Sequence, residues 1–280
     1  MRVAFQGELG AYSEEAIIQY FGGEALPVPR PYLKDVFDSV ENGEADLGLV
    51  PAENSLEGSI VRTFDLLLER GLKIRGETVL RVVHCLIANR GATLGDVKRV
   101  YSHPQAIGQS RAYLEGHGLE PVSWYDTAGS VKMIRDEGLR DAAAIASARA
   151  AEVYDMAVLA RGLETDSENY TRFFVIGGGD VGPTGSDKST IAYIVDHRPG
   201  TLLESLRVFG SRGLNLTKIE SRPIPGRPWE YTFFIDIEAH RDEPLMREAL
   251  EELRGSTNFI KILGSYPRAQ RDLVNGRKSC

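Results

Sequence analysis

Residues 177–187 read GGGDVGPTGSD, five glycines and one proline in eleven positions, and form the strongest break in the chain. Glycine visits many backbone conformations and proline donates no hydrogen bond, so such a run resists helix and strand and suits a linker. It predicts two folded regions, 1–177 and 189–267, joined by a linker over 178–188 and followed by a polar tail over 268–280. The regions differ in rhythm. Before the linker, strand signals (2–6, 47–50 ended by Pro51, 99–101, 121–124, 143–145, 158–159, 172–176) alternate with helix signals (13–21, 32–42, 60–69, 105–115, 130–136, 146–154). In the second helix Leu33, Val36, Phe37 and Val40 recur at helical spacing. Alternation of this kind argues for α/β units with mainly parallel pairing, whose ligands sit beyond the carboxyl ends of strands. An extended run over 78–88 suits a crossing between lobes. After the linker the order is strand 190–195, helix 202–211, strands 215–223 and 231–238, helix 245–254 and strand 259–263. That is β-α-β-β-α-β, the ferredoxin-like order.

Composition narrows the function. Of the 280 residues, 42% are hydrophobic and 26% charged, the balance of a globular chain with a real core. The formal net charge of -7 argues against gripping nucleic acid, which needs a basic face. It leaves room for a local anion pocket. The only cysteines are Cys85 and Cys280, with no C-x-x-C or Cys/His cluster, so neither zinc nor a disulfide framework is expected. No apolar run reaches the length of a membrane span and the first residues lead straight into a strand, so a cytoplasmic protein is expected.

Three segments place polar residues where a strand should give way to a helix: 50–58, with Asn54, Ser55 and Glu57; 101–105, with Ser102, His103 and Gln105; and 126–130, with Thr127. Helix starts favour anions, so several together suit a polycarboxylate. The spacings Asn54-x-x-Glu57 and Ser102-x-x-Gln105 also fit ordinary capping boxes, and spacing alone does not choose. Asn169-Tyr170-Thr171-Arg172-Phe173 puts an amide, a hydroxyl and a guanidinium ahead of an apolar strand; by itself its spacing favours a common strand start. His103 is the histidine in a candidate site, whereas His84, His117, His197 and His240 are scattered.

Together these stretches resemble the prephenate dehydratase family. Residues 51–58 (PAENSLEG) resemble its P-x-E-N-S-x-x-G segment, 102–106 (SHPQA) its S-H-P-Q-A segment, and 169–173 (NYTRF) its N-x-T-R-F signature. In the C-terminal third, 198–203 (RPGTLL) resemble the G-A-L segment of an ACT domain, and Glu220-Ser221-Arg222-Pro223 is an intact E-S-R-P motif. The resemblance runs from about residue 3 to residue 267. Thr201 departs from the alanine of G-A-L, and Ala11-Tyr12 from the Thr-Phe of many members. The monofunctional form, without a helical chorismate mutase segment ahead of residue 1, is expected.

The resemblance implies an α/β fold: a two-lobed catalytic region like type 2 periplasmic binding proteins, with 1–77 plus 160–177 in one lobe and 78–159 in the other, then a ferredoxin-like ACT domain. It implies loss of the ring hydroxyl of prephenate as water and of the ring carboxylate as CO2, giving phenylpyruvate, without a cofactor or metal. Thr171 would assist the departing hydroxyl as a positioned donor. Asn54, Ser55, Glu57, Ser102, Gln105, Thr127, Asn169, Arg172 and Phe173 would surround the substrate. L-Phenylalanine would inhibit by binding at Gly200, Thr201, Leu202, Leu203, Asn215, Glu220, Ser221, Arg222 and Pro223, between paired ACT domains of a homodimer or homotetramer. Two alternatives stay open: arogenate dehydratase, and a non-catalytic ACT sensor of amino acids.

Overall fold

A computed structural model describes residues 1–224 and 226–269. The expected tail therefore lies, from residue 270, outside the described residues, as does Cys280. Contacts divide the chain into two compact units. Among the described residues, the first joins Met1–Thr63 to Thr78–Phe173, and the second joins Phe64–Glu77 to residues 174–269.

Up to residue 177 the elements are β1 (Arg2–Gln6), α1 (Tyr12–Phe21), β2 (Leu26–Arg30), α2 (Leu33–Glu41), β3 (Leu47–Asn54), β4 (Gly58–Ser59), α3 (Val61–Glu69), β5 (Lys73–Arg81), β6 (Cys85–Ala88), β7 (Arg99–Ser102), α4 (Pro104–Gln109), α5 (Arg111–Gly116), β8 (Glu120–Ser123), α6 (Thr127–Asp136), β9 (Ala142–Ala146), α7 (Ala148–Val153), β10 (Ala157–Arg161) and β11 (Tyr170–Gly177). They build two sheets, ordered β2-β1-β3-β11-β5 and β10-β6-β9-β7-β8. The late strand β11 inserts between β3 and β5, so the chain leaves the first sheet, builds the second and returns. This is the two-lobed α/β organisation the resemblance implied. Pairing of β1 with β2 and β3, and of β7 with β8 and β9, is parallel; β6 pairs antiparallel with β9 and β10. Strands covered on both faces should be apolar throughout, and all five residues of β9 are buried.

Several element boundaries differ from the sequence reading, and two of them lie next to the candidate site residues. β3 does not end at Pro51 but continues to Asn54. Its register with β1 stops at Leu49, so Pro51, which has no N–H to donate, lies past that ladder. The helix expected over 105–115 is two short helices, α4 and α5, meeting at Ser110. Gly108, a poor helix former, precedes the break.

Gly10 ends the turn between β1 and α1, with φ +88°. A β-carbon added there would sit 2.6 Å from the Ala150 Cα. The same turn is held by Ser147 Oγ, which donates to the Gly10 carbonyl at 2.7 Å, and by Arg149, which pairs with the buried Glu14 at 3.1 Å. Gly10→Ala is therefore expected to lower stability by about 1–3 kcal/mol, the usual cost of overpacking. A chemical denaturation midpoint equal to that of the natural chain would refute the close approach.

The second unit continues with β12 (Asp187–Ile194), α8 (Thr201–Gly210), β13 (Leu216–Ile224), β14 (Arg227–Ile237), α9 (Pro244–Ser256) and β15 (Phe259–Pro267). Its sheet, β13-β14-β12-β15, is antiparallel throughout, as the ferredoxin-like order requires. Ile191, Tyr193, Phe209, Ile235, Leu250 and Leu253 share one core. Phe64 of α3 packs against Phe234 and Phe174, with ring centroids 5.2 and 5.9 Å away. Lys261 on β15 caps the end of α3 by donating to the carbonyls of Leu68 and Arg70 at 2.7 and 2.8 Å. No helix among the described residues is long and apolar enough to cross a membrane.

Candidate active site

The carboxyl end of β3 and the start of β11 meet in the first unit, and Asn54 is where they are tied. Its Oδ1 accepts the backbone N–H groups of Leu56 and Glu57 at 3.0 and 3.1 Å. Its Nδ2 donates to Asn169 Oδ1 at 2.8 Å, to the Tyr170 carbonyl at 3.1 Å and to Thr171 Oγ1 at 3.0 Å. Backbone N–H groups only donate, so they fix which end of the amide is oxygen. Thr171 Oγ1 therefore accepts from Asn54 and keeps its own proton to give.

Thr171 and Asn54 line a cavity of about 150 Å³ with Tyr12, Val82, His84, His103, Gln105, Ala106, Gln109, Asp126 and Thr127. The lining holds hydroxyls, amides, imidazoles and the Asp126 carboxyl group, with no lysine or arginine. Behind it runs a chain of hydrogen bonds. Asn169 Nδ2 donates to Gln109 Oε1 at 2.9 Å, His84 Nε2 lies 2.8 Å from the same oxygen, and His84 Nδ1 lies 2.7 Å from the Tyr12 hydroxyl. Asn54, Asn169 and His84 are all buried, and buried polar groups must be paired in this way. Burial holds the His84 imidazole below its ordinary value and pushes the Tyr12 phenol well above its own. Asp126 caps α6 by accepting the Gly129 N–H at 2.7 Å. Burial raises its carboxyl above the usual range, and nearby Glu8 adds to the rise.

Of the residues singled out from sequence, Thr171, Asn54, His103, Gln105 and Thr127 line the cavity, and Asn169 stands one hydrogen bond behind it. The others are elsewhere. Ser102 is fully buried and donates to the Ile145 carbonyl at 2.6 Å. The cap of α4 is instead His103, whose Nδ1 accepts the Gln105 N–H at 3.3 Å. Ser55 is exposed and bridges to β11, donating to the Glu168 carbonyl at 2.7 Å and accepting the Tyr170 N–H at 2.9 Å. Glu57 is exposed and no helix starts beside it: residues 55–57 turn into β4, and Asn54 closes that turn rather than a capping box. Arg172 lies 3.8 Å from Glu53, bracing β11 against β3, and Phe173 is buried in the core.

Sequence reasoning passed over Tyr12, Gln109 and Asp126, and it took His84 for a scattered histidine, which the cavity corrects. Asp126 stands beside Thr127 in a segment already suspected. His84 carries no local signal, because only the return of the chain through β11 brings Gln109 and Asn169 to it.

In the second unit a cavity of about 230 Å³ is lined by Gly200, Thr201, Leu202 and Leu203 with His197, Arg198, Trp229 and Tyr231, among others. The Thr201 hydroxyl donates to the carbonyls of Asp196 and Arg198 at 2.7 and 3.0 Å. Asn215 and Glu220 to Pro223 are not in that lining. Asn215 Nδ2 donates to Glu238 at 2.8 Å. On β13 side chains alternate: Glu220 and Arg222 turn toward Lys218 and Asp65, whereas Ser221 and Pro223 are exposed. Within one chain the two halves of the expected effector motif thus stay apart.

A family model for prephenate dehydratase matches residues 3–180, and one for the ACT domain matches residues 189–255. A bifunctional chorismate mutase/prephenate dehydratase of Aquifex aeolicus is 40% identical over 272 residues, covering 96% of this chain and 74% of that protein. An arogenate dehydratase/prephenate dehydratase 2 of Arabidopsis thaliana is 40% identical over 279 residues, covering 95% and 73%. Among solved structures, prephenate dehydratase from Arthrobacter aurescens in complex with L-Phe has a TM-score of 0.87 at 32% identity, covering 98% of this chain and 91% of that one. Another, described as a novel type of quorum quenching acylase, has a TM-score of 0.89 at 36% identity, covering 96% and 98%.

Proposed function

The chain belongs to the prephenate dehydratase family, and we infer from that premise and from the cavity that it converts prephenate to phenylpyruvate, water and CO2 in phenylalanine biosynthesis, under control by L-phenylalanine through its ACT domain. The prephenate dianion takes up one proton as the C–O bond to the ring hydroxyl and the C–C bond to the ring carboxylate break. The products are phenylpyruvate, one water and one CO2. Aromatisation supplies the driving force, so the protein has to hold a doubly negative ring and help hydroxide leave.

The observation that carries this reading is the orientation of Asn54, which leaves the Thr171 O–H as a donor on the cavity. In this role Thr171 donates to the departing hydroxyl, and positioned proton donation of this kind is worth about 10²–10⁴ in rate. Asn54, Gln105 and Thr127 bind substrate oxygens and Asn169 orients Asn54. Ser55, Ser102, Arg172 and Phe173 support the site through the hydrogen bonds and packing already given, and Glu57 does so through its backbone N–H on Asn54 Oδ1. Enclosure of the cavity by two lobes strengthens each polar contact.

L-Phenylalanine inhibits from a site shared between two copies, built by Gly200 to Leu203 of one chain with Asn215 and Glu220 to Pro223 of another. Their separation within a single chain supports a homodimer or homotetramer, and the reading places the enzyme in the cytoplasm. Inhibition requires that the effector bind one global state better than another.

One feature favours arogenate as a second substrate. Asp126 faces the cavity, and a carboxylate there would pair with the ammonium group that arogenate carries in place of the keto group of prephenate. The test is to supply prephenate and arogenate separately and follow phenylpyruvate and phenylalanine, with and without added L-phenylalanine. Prephenate turnover that falls when L-phenylalanine is added is the expected result; inertness toward both substrates rejects the enzyme reading.

A further inference from the structure

We propose that Tyr12 and His84 are positioning residues for the dehydration, acting through Gln109, Asn169 and Asn54 to set the donors that face the substrate. The proposal rests on the dehydratase reading. Its starting point is the pair of backbone N–H groups on Asn54 Oδ1. With that oxygen engaged, Asn54 presents nitrogen to Asn169, so Asn169 must answer with oxygen at 2.8 Å. Its own Nδ2 then faces Gln109, which accepts with Oε1 at 2.9 Å. The same Oε1 lies 2.8 Å from His84 Nε2, which must therefore carry the proton. That leaves a lone pair on His84 Nδ1, and the Tyr12 hydroxyl fills it at 2.7 Å.

The Tyr12 hydroxyl also lies 3.2 Å from the Val83 carbonyl, so its one proton has two acceptors and the setting of the chain is fixed from the Asn54 end. Were His84 to carry its proton on Nδ1, Gln109 would turn its amide nitrogen inward and meet the nitrogen of Asn169. Repairing that clash would turn Asn169 and set its nitrogen against Asn54. The two backbone donors on Asn54 thus set the arrangement, and the Tyr12 hydroxyl completes it by giving its proton to His84 Nδ1, the nearer of its two acceptors. In it Gln109, its oxygen taken twice, has only the Nε2 donor left to offer the cavity it lines. Thr171 likewise offers its O–H. Donors turned inward suit a dianion in a lining without lysine or arginine. Proton conduction is a poor account of the chain, because three of its members are amides, which do not readily pass a proton on. It orients.

The test combines nitrogen NMR of the imidazoles with kinetics on the full chain. His84 in the natural protein is expected in the Nε2–H form, without substrate present. Tyr12→Phe removes only the oxygen; it should depress the Nε2–H signature and lower kcat by about tenfold, the size of one lost hydrogen bond. His84→Leu should lower kcat by about a hundredfold, as a misplaced reacting group does. His84→Gln, which keeps a donor toward Gln109, should recover at least about tenfold of that loss. An Nδ1–H form in the natural protein overturns this proposal alone. So does Tyr12→Phe with unchanged kcat, or His84→Gln no better than His84→Leu. A natural protein inert toward prephenate and arogenate overturns the dehydratase reading, while the NMR result remains independent of it.

Discussion

Thr171→Val should give a folded protein that turns over prephenate about 10²–10⁴-fold more slowly, the range for a lost proton donor. The substitution replaces a hydroxyl by a methyl of similar size and keeps the β-branching that suits the start of a strand. Asn54 Nδ2 would lose one acceptor but keep two, Asn169 Oδ1 at 2.8 Å and the Tyr170 carbonyl at 3.1 Å. No buried group is then stranded, so stability should change by less than about 1 kcal/mol. The loss should fall on kcat, since the O–H acts on a group that leaves in the transition state. Thr171→Ser, which keeps a hydroxyl but gains a freer χ1, should retain much of the activity. Single-turnover measurement of phenylpyruvate formation separates chemistry from release. Rapid turnover by Thr171→Val would remove the hydroxyl from the mechanism.

Much of this arrangement was legible from residue order because it depends on local chemistry. The alternation of strand and helix and the β-α-β-β-α-β order follow from backbone preference and side-chain period. Asn54 and Thr171 stood in recognisable segments, and β11 brought them together. What stayed hidden is long-range. Ser102 and Thr127 both stand at strand-to-helix junctions, yet one hydroxyl satisfies the buried Ile145 carbonyl while the other residue lines the cavity. Local spacing cannot separate these outcomes, because the partner arrives from 43 residues away. Asn54-x-x-Glu57 misled for a related reason: an amide can satisfy the N–H groups of a turn as readily as those of a helix. His84 had no signal because its partners, Tyr12 and Gln109, are 72 and 25 positions distant.

Asn54→Asp separates the orientation of the hydroxyl from its mere presence. The introduced carboxylate has nearly the shape of the amide and can still accept the N–H groups of Leu56 and Glu57 with one oxygen. Its other oxygen would face Asn169 Oδ1, the Tyr170 carbonyl and Thr171 Oγ1, at the places where the amide now donates over 2.8–3.1 Å. Two of these three groups are oxygens with no hydrogen to give, so the contacts turn repulsive. The third can give a hydrogen, and Thr171 should turn its O–H toward the charge. The donor that the dehydration requires is then occupied, and turnover at neutral pH should fall about as far as in Thr171→Val, by 10²–10⁴-fold. Burial and the facing oxygens should raise the carboxyl above its ordinary value. Acidification below that value restores a proton at this position, so activity in the variant should rise as pH falls toward the acid limb, opposite to any loss of a carboxylate required in ionised form. Stability at neutral pH should drop by about 1–3 kcal/mol, the cost of a buried polar mismatch, and should recover along the same pH range, since the folded state then binds more protons than the unfolded one. The pH dependence of kcat, measured beside a denaturation series, tests both. Turnover by Asn54→Asp near that of the natural chain at neutral pH would mean that the Thr171 proton is not what the substrate receives.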